Sequence, residues 1–301
     1  MGSPALNVLT YARPAAPFLE LLKPYTWFPP MWAFLCGIVS AGVPTDGYGG
    51  MIAAGVLLAG PLVCGTSQAV NDWFDRDIDA INEPGRPIPS GRVPGRRGLY
   101  LAVAWTLMSG AVAASLGPLV FAAGVLGLAL AWAYSAPPIR LKQNGWWGNT
   151  AVALSYEGLP WVTAAVVMLG TVPPPPVLWL ALWYSIGAHG IMTLNDFKSV
   201  EGDRRMGIGS LPVRLGVARA AWVACAVMLV AQLVVVGLLL AWGRPLHAAA
   251  IAGLVIIQFA MMTRLLAQPA ELDFWYNTKG VPLYVAGMLV SAFAVRSLAA
   301  T

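Results

Sequence analysis

The sequence predicts an all-α protein that crosses a membrane many times, and three observations predict it. Of the 301 residues, 58% are hydrophobic and only 10% are charged, whereas a soluble domain carries about 25% charged residues. Apolar runs long enough to span a bilayer, or nearly so, recur nine times, at roughly 27–43, 51–70, 98–117, 119–134, 148–170, 177–194, 218–242, 246–266 and 280–299. The charges are confined largely to the connections between those runs. The expectation is nine transmembrane helices forming one domain over 1–301 with a cytoplasmic N-terminal segment at 1–26. The net charge of +5 fits the positive-inside bias of membrane proteins and needs no nucleic-acid partner.

The elements justify themselves in order. No signal-peptide pattern opens the chain: Arg13, Glu20 and Lys23 lead into the first run, and no small-residue cleavage site follows it. That run is short, as is the fourth. Trp27, Trp32, Trp132 and Tyr134 suit the headgroup levels that flank them. The second run flows into a polar stretch, "AVNDWFDRDIDAINEPGRPIPSG". Gly117-Pro118 joins the third run to the fourth almost without a loop. The fifth follows "YSAPPIRLKQNG" and carries Glu157 inside it. The sixth follows "TVPPPP", contains His189 and ends in "LNDFKSVEGDRR". The seventh and eighth are joined through "GRP", and the ninth follows the polar segment 267–279. Cys36, Cys64 and Cys225 all lie in apolar stretches with no metal-ligand spacing, and read as small core residues.

Short, charge-poor connections alternate with longer polar ones at 71–97, 135–147, 195–217 and 267–279. Placing the N-terminus and the long connections on one side puts 16 of the 18 Lys and Arg residues there, with only Arg244 and Arg296 opposite. That side is expected to be cytoplasmic, and an odd number of spans sends the C-terminus outside.

The polar stretch after the second run reads as a continuation of its helix. At about 100° per residue, with Asn71 at 0°, Asp72 falls near 100°, Asp75 near 40° and Asp79 near 80°, while Asp77 falls near 240° on the opposite side. Three carboxylates and an amide thus share one face, and they repel one another unless cations neutralise them. The stretch after the sixth run repeats the pattern with Asn195, Asp196, Ser199 and Asp203 at the same offsets, and Glu201 off that face. The tails repeat as well, "GRPIPSGRV" after the first and "GIGSLPVRLG" after the second. Four spans lie between, so both faces end on one side of the membrane. Hard oxygen donors without His or Cys favour Mg2+, which typically binds one or two carboxylates together with substrate phosphates. Phosphate in turn predicts cations nearby: Arg86, Arg140 and Lys142 beside stiffening prolines, and Lys198, Arg204 and Arg205 near the second cluster. Tyr134 can donate its hydroxyl. Arg92, Arg96, Arg97, Arg214 and Arg219 read as positive-inside charge.

N-D-x-x-D-x-x-x-D, then "YSAPP-R-K", then an "EGD" segment, spread over nine spans, resembles the UbiA superfamily of intramembrane prenyltransferases across almost the whole chain. "NDWFDRDIDAINEPGRPIPSGR", "LNDFKSVEGDR", "LLKPYTWFPPMWAFLCG" and "WYNTKGVPLYVAGM" resemble its chlorophyll and bacteriochlorophyll synthase branch. The resemblance implies a helical bundle around a cavity, Mg2+, and geranylgeranyl or phytyl diphosphate as donor. It implies the propionate carboxylate of a (bacterio)chlorophyllide as acceptor, a photosynthetic inner membrane as location, and pigment–protein assembly factors as conceivable partners. It casts Asp72, Asp75, Asp79 and Asp203 as the catalytic carboxylates. The metal set is Asn71, Asp72, Asp75, Asp79, Asp196, Glu201 and Asp203. The diphosphate set is Asn71, Arg86, Tyr134, Arg140, Lys142, Lys198 and Arg204. The family's second motif often reads D-x-x-x-D; here Ser199 takes the first place and Asp203 the last, with Asp196 and Glu201 as further carboxylates.

Glu157, Tyr156, His189 and Trp32 are candidates for the acceptor site or the cavity wall. Aromatic faces can stabilise an allylic cation, an intramembrane acid is functional by default, and an imidazole can be an axial ligand to a magnesium macrocycle. Two other readings stand beside this one. An aromatic quinone precursor is an alternative acceptor, and a cation-coupled transporter also carries intramembrane acids and repeats. Transporter sites tend toward the midplane, whereas these acids gather at one edge beside basic loops. The charge asymmetry predicts that a reporter fused after Ala300 is extracytoplasmic and one inserted near Arg97 is cytoplasmic; both on one side would overturn the span count.

Overall fold

The computed structural model describes residues 16–299; residues 1–15, which include Arg13 and most of the expected N-terminal segment, lie outside the described residues. The described residues are helical, with no strand and a single isolated bridge between Asn144 and Gly209. A short helix α1 (Ala16–Leu22) precedes α2 (Phe28–Ser40). Eight helices long and apolar enough to cross a membrane include α3 (Gly49–Ile81), α4 (Arg97–Ser115), α5 (Pro118–Ser135), α6 (Gly145–Leu169) and α7 (Pro175–Arg205). A five-residue helix α8 (Leu211–Leu215) leads to the other three, α9 (Val217–Ala241), α10 (Pro245–Ala267) and α11 (Pro269–Leu298). The first of the nine expected spans, α2, is an apolar helix of 13 residues, shorter than the eight among the described residues that are long enough to cross. The protein is an integral membrane protein whose outward faces carry exposed leucine, isoleucine and phenylalanine, such as Leu107, Ile256 and Phe259.

As the helical reading of the acidic stretch expects, the α3 helix runs on from the apolar run through the whole acidic face; the segment expected to connect at 267–279 is instead helical, and α11 begins at Pro269. Proline at the first turn starts α5, α7, α10 and α11, where its missing N–H has no intrahelical partner to lose. Gly117, at φ 116°, turns the chain between α4 and α5 in a conformation other residues avoid. Inside α3 and α6 the helix widens into π-turns at Leu58–Cys64, around Pro61, and at Leu154–Gly158, just before Pro160. Lipid cannot satisfy backbone groups freed this way; Trp105 Nε1 donates to Pro61 O at 3.1 Å.

Packing in a bilayer relies on close van der Waals approach and interhelical hydrogen bonds. Trp161 Nε1 donates to Ser40 Oγ at 3.0 Å, tying α6 to α2, and Tyr284 Oη donates to Tyr184 O at 2.7 Å, tying α11 to α7. Trp161 stacks on Tyr184, whose ring meets Tyr284 edge-on, in the core between α2, α6, α7 and α11. Gln232 of α9 donates to Gln258 of α10 at 2.6 Å, and Gln258 donates to Gly280 O, at the break in α11, at 3.0 Å. Gly190 brings α7 against α9: a Cβ there would lie 2.4 Å from Ala224 O. Gly190→Ala is therefore expected to destabilise the protein by about 1–3 kcal/mol. Gly253→Ala, whose Cβ would meet nothing within 4 Å, is expected to be neutral or slightly stabilising. Equal melting temperatures for the two variants in detergent would contradict the close α7–α9 contact.

Candidate active site

The acidic ends of α3 and α7 come together at one end of the bundle and wall a chamber of about 650 Å3. One wall carries Asn71, Asp75 and Asp79 of α3, with Glu83 and Arg86 from the following loop. The other carries Asp196, Lys198, Ser199, Glu201, Asp203 and Arg205. Tyr134 at the end of α5, Lys142 in the α5–α6 loop and Asn149 of α6 close the circuit. The α7 wall departs from a plain helix: a 3-10 turn, Asp196–Ser199, interrupts it before Val200–Arg205.

The carboxylates of α3 are neutralised by side chains of the protein itself. Lys142 Nζ pairs with both oxygens of Asp75, and Arg140 Nη2 lies 3.2 Å from Asp75 Oδ1. Asn71 Nδ2 donates to Asp75 Oδ2 at 2.9 Å and to Ser135 Oγ at 3.2 Å. Arg86 chelates Glu83 through Nε and Nη2 at 2.7 and 2.8 Å and reaches Asp79 Oδ2 through Nη1 at 2.9 Å. That chelation holds the Glu83 carboxyl below its usual range. Burial lowers the affinity of Lys142 for its proton, and the Asp75 charge works in the opposite direction. On the α7 wall, Asn149 Nδ2 donates to Asp196 Oδ2 at 3.0 Å and Ser199 Oγ donates to Asp203 Oδ2 at 2.9 Å. Glu201 pairs with Arg204 at 3.3 Å and Arg205 at 3.0 Å.

Asp77 points away, 84% exposed beside Arg76, as the helical angle requires. Asp72 differs from expectation: it does not line the chamber. At 3% exposure it is held by Lys23 at 2.7 Å, and the same oxygen lies 3.3 Å from Arg86. Its angle of about 100° sits at the edge of the arc, enough to turn it toward the chain entering α2. The four candidates for the acceptor site or cavity wall lie off the polar chamber, though Tyr156 lines the apolar crevice that Tyr134 borders. Glu157 is buried in the π-turn of α6 with Oε2 unpaired among the described residues. His189 stacks on Trp146 at 5.5 Å, its Nε2 buried without a hydrogen-bond partner among the described residues. Trp32 Nε1 is committed to Val285 O at 3.1 Å, and Tyr156 Oη accepts from Gln68 at 3.0 Å. Arg140 and Arg204 reach the chamber only through the carboxylates they pair with.

Sequence reasoning missed Lys23, Asn149, Ser135 and Ser210. Asn149 had a signal, an amide at the start of an apolar run. Lys23 had only its charge, and the long-range pairing with α3 has no local trace. Lys23 and Arg140 are also the two described non-glycine residues with positive φ, at 45° and 40°, and both pair with the acidic face. Such backbone strain persists where the surroundings over-determine it.

Below the polar chamber the lining turns apolar. Tyr134 also borders a small crevice between α3, α5 and α6, lined by Val63, Leu130, Ala131 and Val152 among others. That crevice shares Ala59, Val63, Gly127 and Ser155 with a second one reaching Phe34 and Leu58. The chamber therefore offers carboxylate and amide oxygens and ammonium and guanidinium groups, with an apolar crevice on the other side of Tyr134. Among the described residues no three carboxylate, His or Cys side chains are grouped closely enough to cage a metal ion. Mg2+ needs no such cage, since one or two carboxylates with phosphate and water suffice. The donor set fits an ion that arrives with a diphosphate, with Asn71, Asp75, Asp79, Asp196 and Asp203 as the residues to hold it.

Comparison with known proteins agrees with this chemistry. The model of the UbiA prenyltransferase family matches residues 25–276. The bacteriochlorophyll synthase 33 kDa chain of Cereibacter sphaeroides is 56% identical, over 93% of this chain and 93% of its own. Chloroplastic chlorophyll synthase of Arabidopsis thaliana is 41% identical, over 92% of this chain and 73% of its own. The same fold occurs in a UbiA homolog from Archaeoglobus fulgidus solved with GPP and Mg2+, at a TM-score of 0.70 and 20% identity over 93% of this chain and 99% of that one. With two acidic helix ends facing one chamber and the family match running through both, the chain belongs to the UbiA prenyltransferase family.

Proposed function

We propose that this protein transfers a geranylgeranyl or phytyl group from its diphosphate to the propionate carboxylate of a (bacterio)chlorophyllide, forming the esterified pigment. One observation carries the reading: a single chamber presents carboxylates from two helix ends together with Lys142, Arg86 and Lys198, and shares Tyr134 with an adjoining apolar crevice. Diphosphate and its cation require both signs of charge, and an isoprenoid requires the apolar crevice. The high identity to a bacteriochlorophyll synthase chain supports the pigment as acceptor. The acidic end faces the cytoplasm of a photosynthetic inner membrane in this reading, with the C-terminus outside.

The reaction breaks the allylic C–O bond, leaves the electron pair on pyrophosphate, and forms a new C–O bond from the acceptor carboxylate. When bound, Mg2+ neutralises charge on the diphosphate and favours its departure. Lys142, Arg86 and Lys198 stabilise the negative charge that grows on the leaving oxygens, an effect of several kcal/mol in a site shielded from water. Asp75 and Asp79 hold Lys142 and Arg86 in place before the substrate arrives. Tyr134 and the crevice beneath it keep water from the developing allylic cation. The attacking carboxylate is already ionised near neutral pH, so no general base is needed. The absence of Glu157 and His189 from the chamber wall accords with that.

Asp75→Asn and Asp79→Asn are each expected to lower kcat/KM by about two orders of magnitude, about 2.7 kcal/mol at the transition state. Asp77→Asn should stay near wild type; equal loss at Asp75 and Asp77 in folded protein would sink the facing-wall geometry. Methylating the propionate of the acceptor removes the nucleophilic oxygen and is expected to abolish product, whereas Glu157→Gln and His189→Gln retain esterification. Prenylation of the methyl ester on carbon would instead favour an aromatic acceptor.

A further inference from the structure

Ser210 lines the chamber, and although its carbonyl accepts from Arg214 N at 3.0 Å, its hydroxyl does not do what local structure asks of it. It occupies the N-cap of α8, a position where serine normally accepts a hydrogen bond from the N–H two or three residues on. Pro212 supplies no N–H at the first of those positions, and the hydroxyl makes no capping bond at all. Ser210 is 4% exposed and lines the chamber, yet its Oγ has no hydrogen-bond partner among the described residues. An unpaired buried hydroxyl is destabilising, so its place calls for a partner from outside the chain.

We propose that the Ser210 hydroxyl donates a hydrogen bond to a phosphoryl oxygen of the prenyl diphosphate; this rests on the diphosphate reading of the chamber. Two backbone hydrogen bonds hold Ser210 beside the loop that carries Lys142. Gly145 N donates to Gly209 O at 2.8 Å, and Gly209 N donates to Gln143 O at 3.0 Å. Lys142 and Arg86 are engaged with carboxylates and must share or exchange those partners to meet a phosphate. An uncharged donor with no prior partner does not. The repeated tails sharpen the case. Ser90 is the serine of the first tail, "GRPIPSGRV", but its hydroxyl donates to Pro87 O at 3.4 Å and accepts from Arg92 Nε at 3.2 Å, and it lies off the chamber wall. Of the two serines, only the one at the chamber has its hydroxyl free.

The test compares wild type, Ser210→Ala and Ser90→Ala in detergent, by thermal melting titrated with Mg2+ and inorganic pyrophosphate and by steady-state kinetics. Ser210→Ala is expected to melt no lower than wild type without ligand, because no protein contact is lost. It should need about tenfold more pyrophosphate for the half-maximal shift, and its KM for geranylgeranyl diphosphate should rise about tenfold with the KM for the pigment unchanged. Ser90→Ala should leave the titration at the wild-type position. A wild-type titration for Ser210→Ala, or a lower unliganded melting temperature with that titration unchanged, overturns the proposal and makes the hydroxyl structural. Failure of pyrophosphate to shift the wild type overturns the diphosphate reading of the chamber, and this inference with it.

Discussion

A carboxylate at the edge of a hydrocarbon bundle must be neutralised, and most of the polar architecture follows from that. Asp75 and Asp79 on α3 would repel each other across one helical turn without the cations that reach them. Their partners come from two separate loops, Lys142 and Arg140 from one and Arg86 from the other. Asp72 draws in a third segment through Lys23. The acidic face thereby fixes the chain before α2, the loop after α3 and the loop before α6. Such buried pairs add little net stability, but removing one partner leaves an uncompensated charge and is strongly destabilising. They give the chamber its shape more than its strength.

Away from the chamber the bundle is held by other means. Lipid offers no hydrophobic drive for helices to associate, so contact depends on small residues and a few buried polar ties. Gly190 lets α7 and α9 meet, and the Gln232–Gln258–Gly280 chain crosses three helices. The π-turns in α3 and α6 lie beside or around prolines, and the one in α6 carries Glu157.

Much of this was legible in the sequence because membranes impose long, simple periods. The apolar runs mark the helix ends to within a few residues except at the polar extensions of α3, α7 and α11, and the helical angle separates Asp77 from Asp75 and Asp79. What escaped has a physical reason in each case. The segment after residue 267 is polar enough to resemble a connection, yet Pro269 starts a helix there that α9 and α10 support. Asp72 lies at the margin of the acidic arc, and only the fold decides that Lys23 takes it. The pairing of Asn149 with Asp196 joins residues 47 positions apart, a distance across which spacing carries no information. Glu157 and His189 are conspicuous in sequence because they are polar in apolar runs, and burial away from the chamber cannot be read from that.

Tyr134 borders both the ionic chamber and the apolar crevice below it. A single phenol therefore marks the place inside the protein where an ionic lining gives way to an apolar one. An amphiphile whose charged and oily halves meet at one bond can settle with that bond at the level of the ring. Alignment is then governed by where polarity changes along the molecule, and the total length of its tail has no part in setting it.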